Sequence, residues 1–160
     1  RYIVSGKRYD RLFLADAETG ELALLSDSLL VSHYHWLDSQ NLVVFLDDVS
    51  NGECYSILNI VTGHKKFLPE LSKYGDGHPS GVGNVMVTDT YPNRAGMQSL
   101  FLLEDLDHVN PALLGSFYHP LKFKGVSRCD LHPRLVWNKK VVYLDSVYSG
   151  RRQLYKLELN

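Results

Sequence analysis

No run of about 18 apolar residues occurs in the 160-residue sequence, so no segment reads as a membrane-spanning helix. Charge of one sign is equally scarce: 17 Lys and Arg stand against 18 Asp and Glu, for a net charge of −1. That balance provides no basic field to attract nucleic acid or an anionic membrane, and neither is expected as a partner. Cysteine appears only as Cys54 and Cys129. The two fall in different repeats of the chain, which argues against a disulfide, and two free thiols favour a reducing, cytoplasmic compartment. Cys129, between Arg128 and Asp130, reads either as a packed thiol or as a nucleophile. Helical periodicity is also missing; residues 69–73 and 104–109 are the candidates, each long enough for one turn.

What is present is repetition. Three polar doublets of the form [His/Asp]-x-His-[Trp/Pro] occur: His33-Tyr34-His35-Trp36, Asp76-Gly77-His78-Pro79 and Asp130-Leu131-His132-Pro133. Each precedes an apolar run ending in aspartate, at Asp47, Asp89 and Asp145. A polar, glycine-bearing turn and a second apolar strand follow each time, as in an antiparallel hairpin. A period in the forties built from short strands is the mark of a β-propeller blade. The run from Leu42 to Leu46 is apolar at every position, which fits a strand sandwiched between neighbouring blades better than one with a wet face.

The expected fold is therefore all-β. Residues 1–31 read as the outer strands of a blade, and 32–75, 76–128 and 129–160 as three further blades. About three and a half four-stranded blades are short of the four to eight of a closed ring. The chain is thus expected to be part of a larger propeller of about six to eight blades, completed by a segment beyond this sequence.

In a propeller the first strand of each blade lines the central channel, so His33, His35, Asp76, His78, Asp130 and His132 should form an arc around it. Imidazole nitrogen together with carboxylate oxygen suits a divalent ion such as Zn²⁺, Mn²⁺ or Fe²⁺. The same arc can serve as acid/base machinery without metal, or merely hydrogen-bond ordered water in the channel. Aromatic side chains near the doublets could stack on a sugar ring, Tyr34 foremost because it alternates with His33 and His35.

The segments Asp76-Gly77-His78-Pro79-Ser80 and Cys129-Asp130-Leu131-His132-Pro133-Arg134, with the run from Asp145 to Tyr155, resemble the oligogalacturonate lyase family of propellers and, more distantly, TolB-like repeats. The likeness extends over most of residues 33–160. It implies a metal-dependent β-elimination on an acidic oligosaccharide or glycan, with a divalent ion, manganese first and zinc, iron or calcium as alternatives, neutralising a uronate carboxylate. Position by position, His78, Asp130 and His132 would hold the metal, His35 would be the base, and Arg11 the assisting arginine. Arg128, Arg134 and Tyr34 would meet the substrate, while His33 and Asp76 would support the site without touching the ion. The family's ligand spacing Gln-x-x-His-x-His is matched here by Ser127-x-x-Asp130-x-His132, so the metal set is altered. Two other readings stand beside the lyase: a non-catalytic propeller without cofactor that binds a protein or glycan through its face, and a structural domain of a larger enzyme.

Overall fold

Short turns send successive apolar runs back beside one another, so each sheet is an antiparallel meander. The computed structural model describes residues 2–159; Arg1, which begins the first expected unit, and Asn160, which ends the last, lie outside them. The first sheet comprises β1 (Tyr2–Val4), β2 (Lys7–Ala15) and β3 (Leu22–Ser28). The second comprises β4 (Val31–Trp36), β5 (Asn41–Asp48), β6 (Gly52–Asn59) and β7 (Lys65–Phe67), and is followed by one helical turn, α1 (Pro69–Ser72). The third contains β8 (Ser80–Val82), β9 (Val85–Asp89), β10 (Met97–Leu103) and β11 (Ala112–Tyr118). The fourth contains β12 (Arg134–Val136), β13 (Val141–Ser146) and β14 (Gln153–Glu158).

The two middle sheets are four-stranded and the outer two have three strands among the described residues, where no strand of the first pairs with the fourth. Of the two helical candidates, the first forms α1. Residues 104–109 do not form a helix, because the Asp105 carboxylate takes the Asp107 amide in a local turn and so competes with helical bonding.

The core lies between sheets. Along β5, Leu42, Val44 and Leu46 face the first sheet and pack with Leu12, while Val43 and Phe45 face the third and pack with Met86 and Leu103. All five are at most 2% exposed. A strand wet on one face would lose half of that burial, worth about 1.5–3 kcal/mol per large aliphatic side chain. Tyr55 lies directly across from Phe45 in the strand register, with ring centroids 5.1 Å apart and edge-on. A third cluster, including Val87, Leu100, Leu131, Val142 and Leu144, joins the third and fourth sheets.

Each sheet packs on the next in this way, and the first strands β4, β8 and β12 run side by side. The Ser80 hydroxyl accepts the Leu135 amide across the β8–β12 gap, at 3.1 Å. The segments that lead into these strands consequently meet at one rim.

Candidate metal centre

The doublets meet at that rim, but not in the register that sequence counting implies. His33 and His35 lie within β4, whereas His78 and His132 lie in the segments just before β8 and β12. His78 stands beside Asp89, 11 residues on through a two-residue turn. The turn between β4 and β5 is two residues longer, and β4 carries one extra residue between Val31 and Tyr34. These shifts put Leu30, not a doublet residue, across from Asp47; the imidazole that lies beside His78 is nonetheless that of His33 and not His35. The β12–β13 connection is also two residues longer, which keeps His132 level.

The result is a row of three imidazoles. The ring centroids of His33 and His78 are 4.1 Å apart, and those of His78 and His132 are 4.0 Å apart. Two of the three are oriented by carboxylates. His33 Nδ1 donates to Asp76 Oδ1 at 2.7 Å, and Ser32 Oγ donates to Asp76 Oδ2 at 2.6 Å. His78 Nδ1 donates to Asp89 at 2.9 Å, and the His78 amide adds a 2.6 Å bond to the same carboxylate. An ionised carboxylate only accepts, so each Nδ1 carries the proton and each Nε2 presents a lone pair.

Asp89, 1% exposed, also takes the His132 amide at 3.1 Å. That bond holds His132 in a left-handed conformation, φ 41°, which a residue with a Cβ adopts at a cost of about 1–2 kcal/mol. Burial pushes the His132 imidazole below its ordinary pKa, helped by the neighbouring His78, against the opposing pull of Asp89 and Asp130. A neutral ring is the form that binds a metal.

Gly77 sets the approach of the second doublet. A Cβ there would lie 1.9 Å from the Asp89 carbonyl oxygen, so only glycine lets the segment pass this close. The Gly77 backbone is clamped by Tyr55, whose hydroxyl donates to the Gly77 carbonyl at 2.7 Å and accepts its amide at 2.8 Å.

Asp130 completes the set. One donor atom each from His78, Asp130 and His132 lies within 4.8 Å of the other two. Ligands held at about 2.1 Å by one ion stand roughly 3–4 Å apart, so a small contraction would close the set. The Asp130 side chain is 9% exposed; Arg128 Nε and Nη2 both donate to its Oδ2, at 3.0 and 2.8 Å. Its Oδ1 is buried and has no protein partner. A buried carboxylate oxygen without a donor is costly unless something supplies positive charge to it. Two imidazoles and a carboxylate are a fitting donor set for Mn²⁺, Fe²⁺ or Zn²⁺.

The other sequence candidates divide. Arg128 lies over the Tyr91 ring, 4.5 Å from its centroid, and Tyr91 in turn sits edge-on to His78 at 5.7 Å. Arg134 donates to the His132 and Pro133 carbonyls, and its charge reaches both His35 and His132. His35 stands apart from the row: its Nε2 donates to the Gly81 carbonyl at 3.1 Å, and burial lowers its pKa. Tyr34, 58% exposed, points to the opposite face of β4 and lines a cleft with Phe13, Leu25 and Trp36 between the first two sheets, because residues one apart on a strand face opposite ways. Arg11 is on β2, where its guanidinium makes two 2.9 Å bonds to Asp27 of β3; the arginines at the site are Arg128, on Asp130, and Arg134, on the His132 carbonyl. Ser127 is exposed and bonds the Lys124 carbonyl. Both cysteines are free and buried, and burial pushes both thiols up, which disfavours a nucleophilic Cys129.

Three groups escaped sequence reasoning. Asp89 had a visible signal, the aspartate that ends the apolar run in every repeat, but nothing marked it as the histidine's partner. Tyr91 was among the aromatics that could stack on a sugar ring, and nothing marked it as the edge-on neighbour of His78. His33 was visible but was set one step outside the site.

No protein-family model and no curated protein matches the sequence. Among solved structures, the chain is similar to TolB from Acinetobacter baumannii, with a TM-score of 0.69, 15% identity and coverage of 92% of this chain and 35% of TolB. It is also similar to an acylaminoacyl peptidase from Pyrococcus horikoshii, with a TM-score of 0.49, 13% identity and coverage of 94% and 34%. The chain spans about a third of the length of each. No helix among the described residues is long and apolar enough to cross a membrane. With its antiparallel sheets of three and four strands packed face to face, the chain has a TolB-like β-propeller fold.

Proposed function

We propose that the histidine row is a divalent-cation centre on the channel rim of a larger propeller, and that it performs β-elimination on an acidic saccharide. One observation carries the reading: His78, Asp130 and His132 bring donor atoms within 4.8 Å of one another, and a buried oxygen of that same aspartate has no protein partner. A bound divalent ion would neutralise a uronate carboxylate and so acidify the adjacent ring C–H. Arg128 and Arg134, at the two sides of His132, suit the same carboxylate.

The base is His33 in this reading. Asp76 holds its Nδ1 proton, so Nε2 is left as an acceptor, whereas His35 spends its Nε2 on the Gly81 carbonyl. His33 takes the ring proton, the C–H electrons form a C=C bond in the sugar that held the carboxylate, and the C–O bond breaks with its electron pair going to the leaving sugar's oxygen, which takes a proton from water.

The experiment measures Mn²⁺ and Zn²⁺ uptake and the new ultraviolet absorbance of an unsaturated uronate, using a panel of uronate oligosaccharides. His78→Ala and His132→Ala should each lose the ion, and His33→Ala should keep it and lose turnover by at least about a hundredfold. His35→Ala should keep both. Full metal content in the first two variants removes the cation centre; metal binding without any absorbance change on any uronate leaves a binding module and rejects the elimination.

A further inference from the structure

The segment that carries Asp130 belongs to no strand or helix: residues 128–133 lie between a 3₁₀ turn and β12. Nothing in a sheet ladder fixes where the carboxylate points. Instead, side chains from the third sheet and its following turn grip the carbonyl and amide of Cys129, the residue before Asp130. Gln98 Nε2, on β10, donates to the Cys129 carbonyl at 3.3 Å, and the Cys129 amide donates to His119 Nε2 at 3.2 Å. Both gripping side chains are buried, Gln98 completely and His119 to 4% exposure.

Gln98 is the informative one. It sits wholly inside the packing between sheets, where an aliphatic residue would fill the space without polar cost, and its Oε1 is buried with no partner. An unsatisfied amide oxygen opposes folding, so packing does not account for glutamine here. The described contact that its amide makes is with the residue preceding Asp130. Further along the segment, the Asp145 amide donates to the Leu131 carbonyl at 2.8 Å and the His132 amide to Asp89. Asp130 is thereby held between fixed points on both sides.

We propose that Gln98 and His119 are positioning residues: they touch no ion or substrate, and they hold the 129–132 backbone so that the Asp130 carboxylate meets the donor atoms of His78 and His132. The inference rests on the cation-centre reading above. Ligand geometry must be right to a few tenths of an ångström, and groups that orient ligands commonly change metal affinity by tenfold to a hundredfold.

The test uses Gln98→Leu, His119→Leu and His119→Gln, with Mn²⁺ as the probe, followed by its electron paramagnetic resonance signal and by calorimetric titration. Gln98→Leu removes the unpartnered oxygen but also the donor to the Cys129 carbonyl, two opposing effects, so it should melt within a few degrees of the wild type yet bind Mn²⁺ at least tenfold more weakly. His119→Leu should weaken binding similarly, and His119→Gln, whose side-chain oxygen can accept the Cys129 amide, should recover most of it. Wild-type affinity in Gln98→Leu overturns the inference, as does weaker binding that only tracks a lower melting temperature. If the wild type takes up neither Mn²⁺ nor Zn²⁺, the cation-centre reading fails on its own. Amide hydrogen exchange then decides the positioning role: the His132 amide should exchange at least tenfold faster in Gln98→Leu, and unchanged exchange rejects it.

Discussion

Asp89→Asn changes one buried atom of the rim and leaves its shape alone. The wild-type carboxylate is 1% exposed and accepts the His78 amide at 2.6 Å, His78 Nδ1 at 2.9 and 3.1 Å, and the His132 amide at 3.1 Å. An amide offers one oxygen where the carboxylate offers two. If that oxygen stays with His78, the new NH₂ faces the His132 amide, and a buried backbone N–H loses its acceptor at a cost of about 1–3 kcal/mol. The bonds that remain lose their charge assistance, roughly 1 kcal/mol more. His132 also loses the contact that holds it in its left-handed conformation. Together these give about 2–4 kcal/mol, or roughly a 5–15 °C fall in melting temperature for a domain of this size. Urea unfolding followed by tryptophan fluorescence measures it, with an unchanged m-value expected because the surface exposed on unfolding is the same. With the His78 tautomer no longer fixed, Mn²⁺ affinity should fall by about tenfold to a hundredfold. A loss of stability below about 1 kcal/mol would show that the Asp89 bonds are not holding the rim together, and unaltered Mn²⁺ binding would sever Asp89 from the orientation of His78.

Gly77→Ala should be worse still, since a Cβ 1.9 Å from the Asp89 carbonyl oxygen forces β9 or the Tyr55 clamp to move. The expected loss exceeds about 3 kcal/mol, and Gly115→Ala, whose nearest contact would be the Phe117 ring at 3.5 Å, provides the contrast. Equal stability of the two variants in urea would contradict the steric argument. His132 makes a pH prediction: its folded pKa lies below the ordinary 6.5, through burial and the neighbouring His78, with Arg134 adding to the shift and Asp89 and Asp130 opposing it. As pH falls below 6.5 the unfolded chain takes up the proton first, so stability drops until the folded value is passed and is then level. His132→Gln should flatten the pH dependence of unfolding just below pH 6.5; a slope matching the wild type would remove this contribution.

The fold was legible because burial on both faces leaves a trace in one dimension. Every residue from Leu42 to Leu46 is apolar, and the structure uses the even positions against one sheet and the odd positions against another. The rim was legible only up to register. His78, Asp130 and His132 were singled out because they begin successive repeats, and the structure brings them within 4.8 Å. Counting residues back from each aspartate also selected His35, since the three intervals are similar. Interval equals level only when turns are of equal length and strands lack bulges. A longer turn and one extra residue in β4 break that equality and leave Leu30 across from Asp47, while the imidazole beside His78 is that of His33. Strand parity accounts for Tyr34 in the same way: lying between two inward histidines puts its side chain on the opposite face. Gln98 and His119 were beyond reach for a different reason. Each acts on Cys129 from 31 and 10 residues away through a single hydrogen bond to backbone, and a backbone acceptor or donor has no identity in sequence. What a repeat can disclose is therefore the set of side chains that share a place in each unit. What holds the irregular segment between two units comes from whichever strand happens to pass, and only the packing of one sheet on the next determines that.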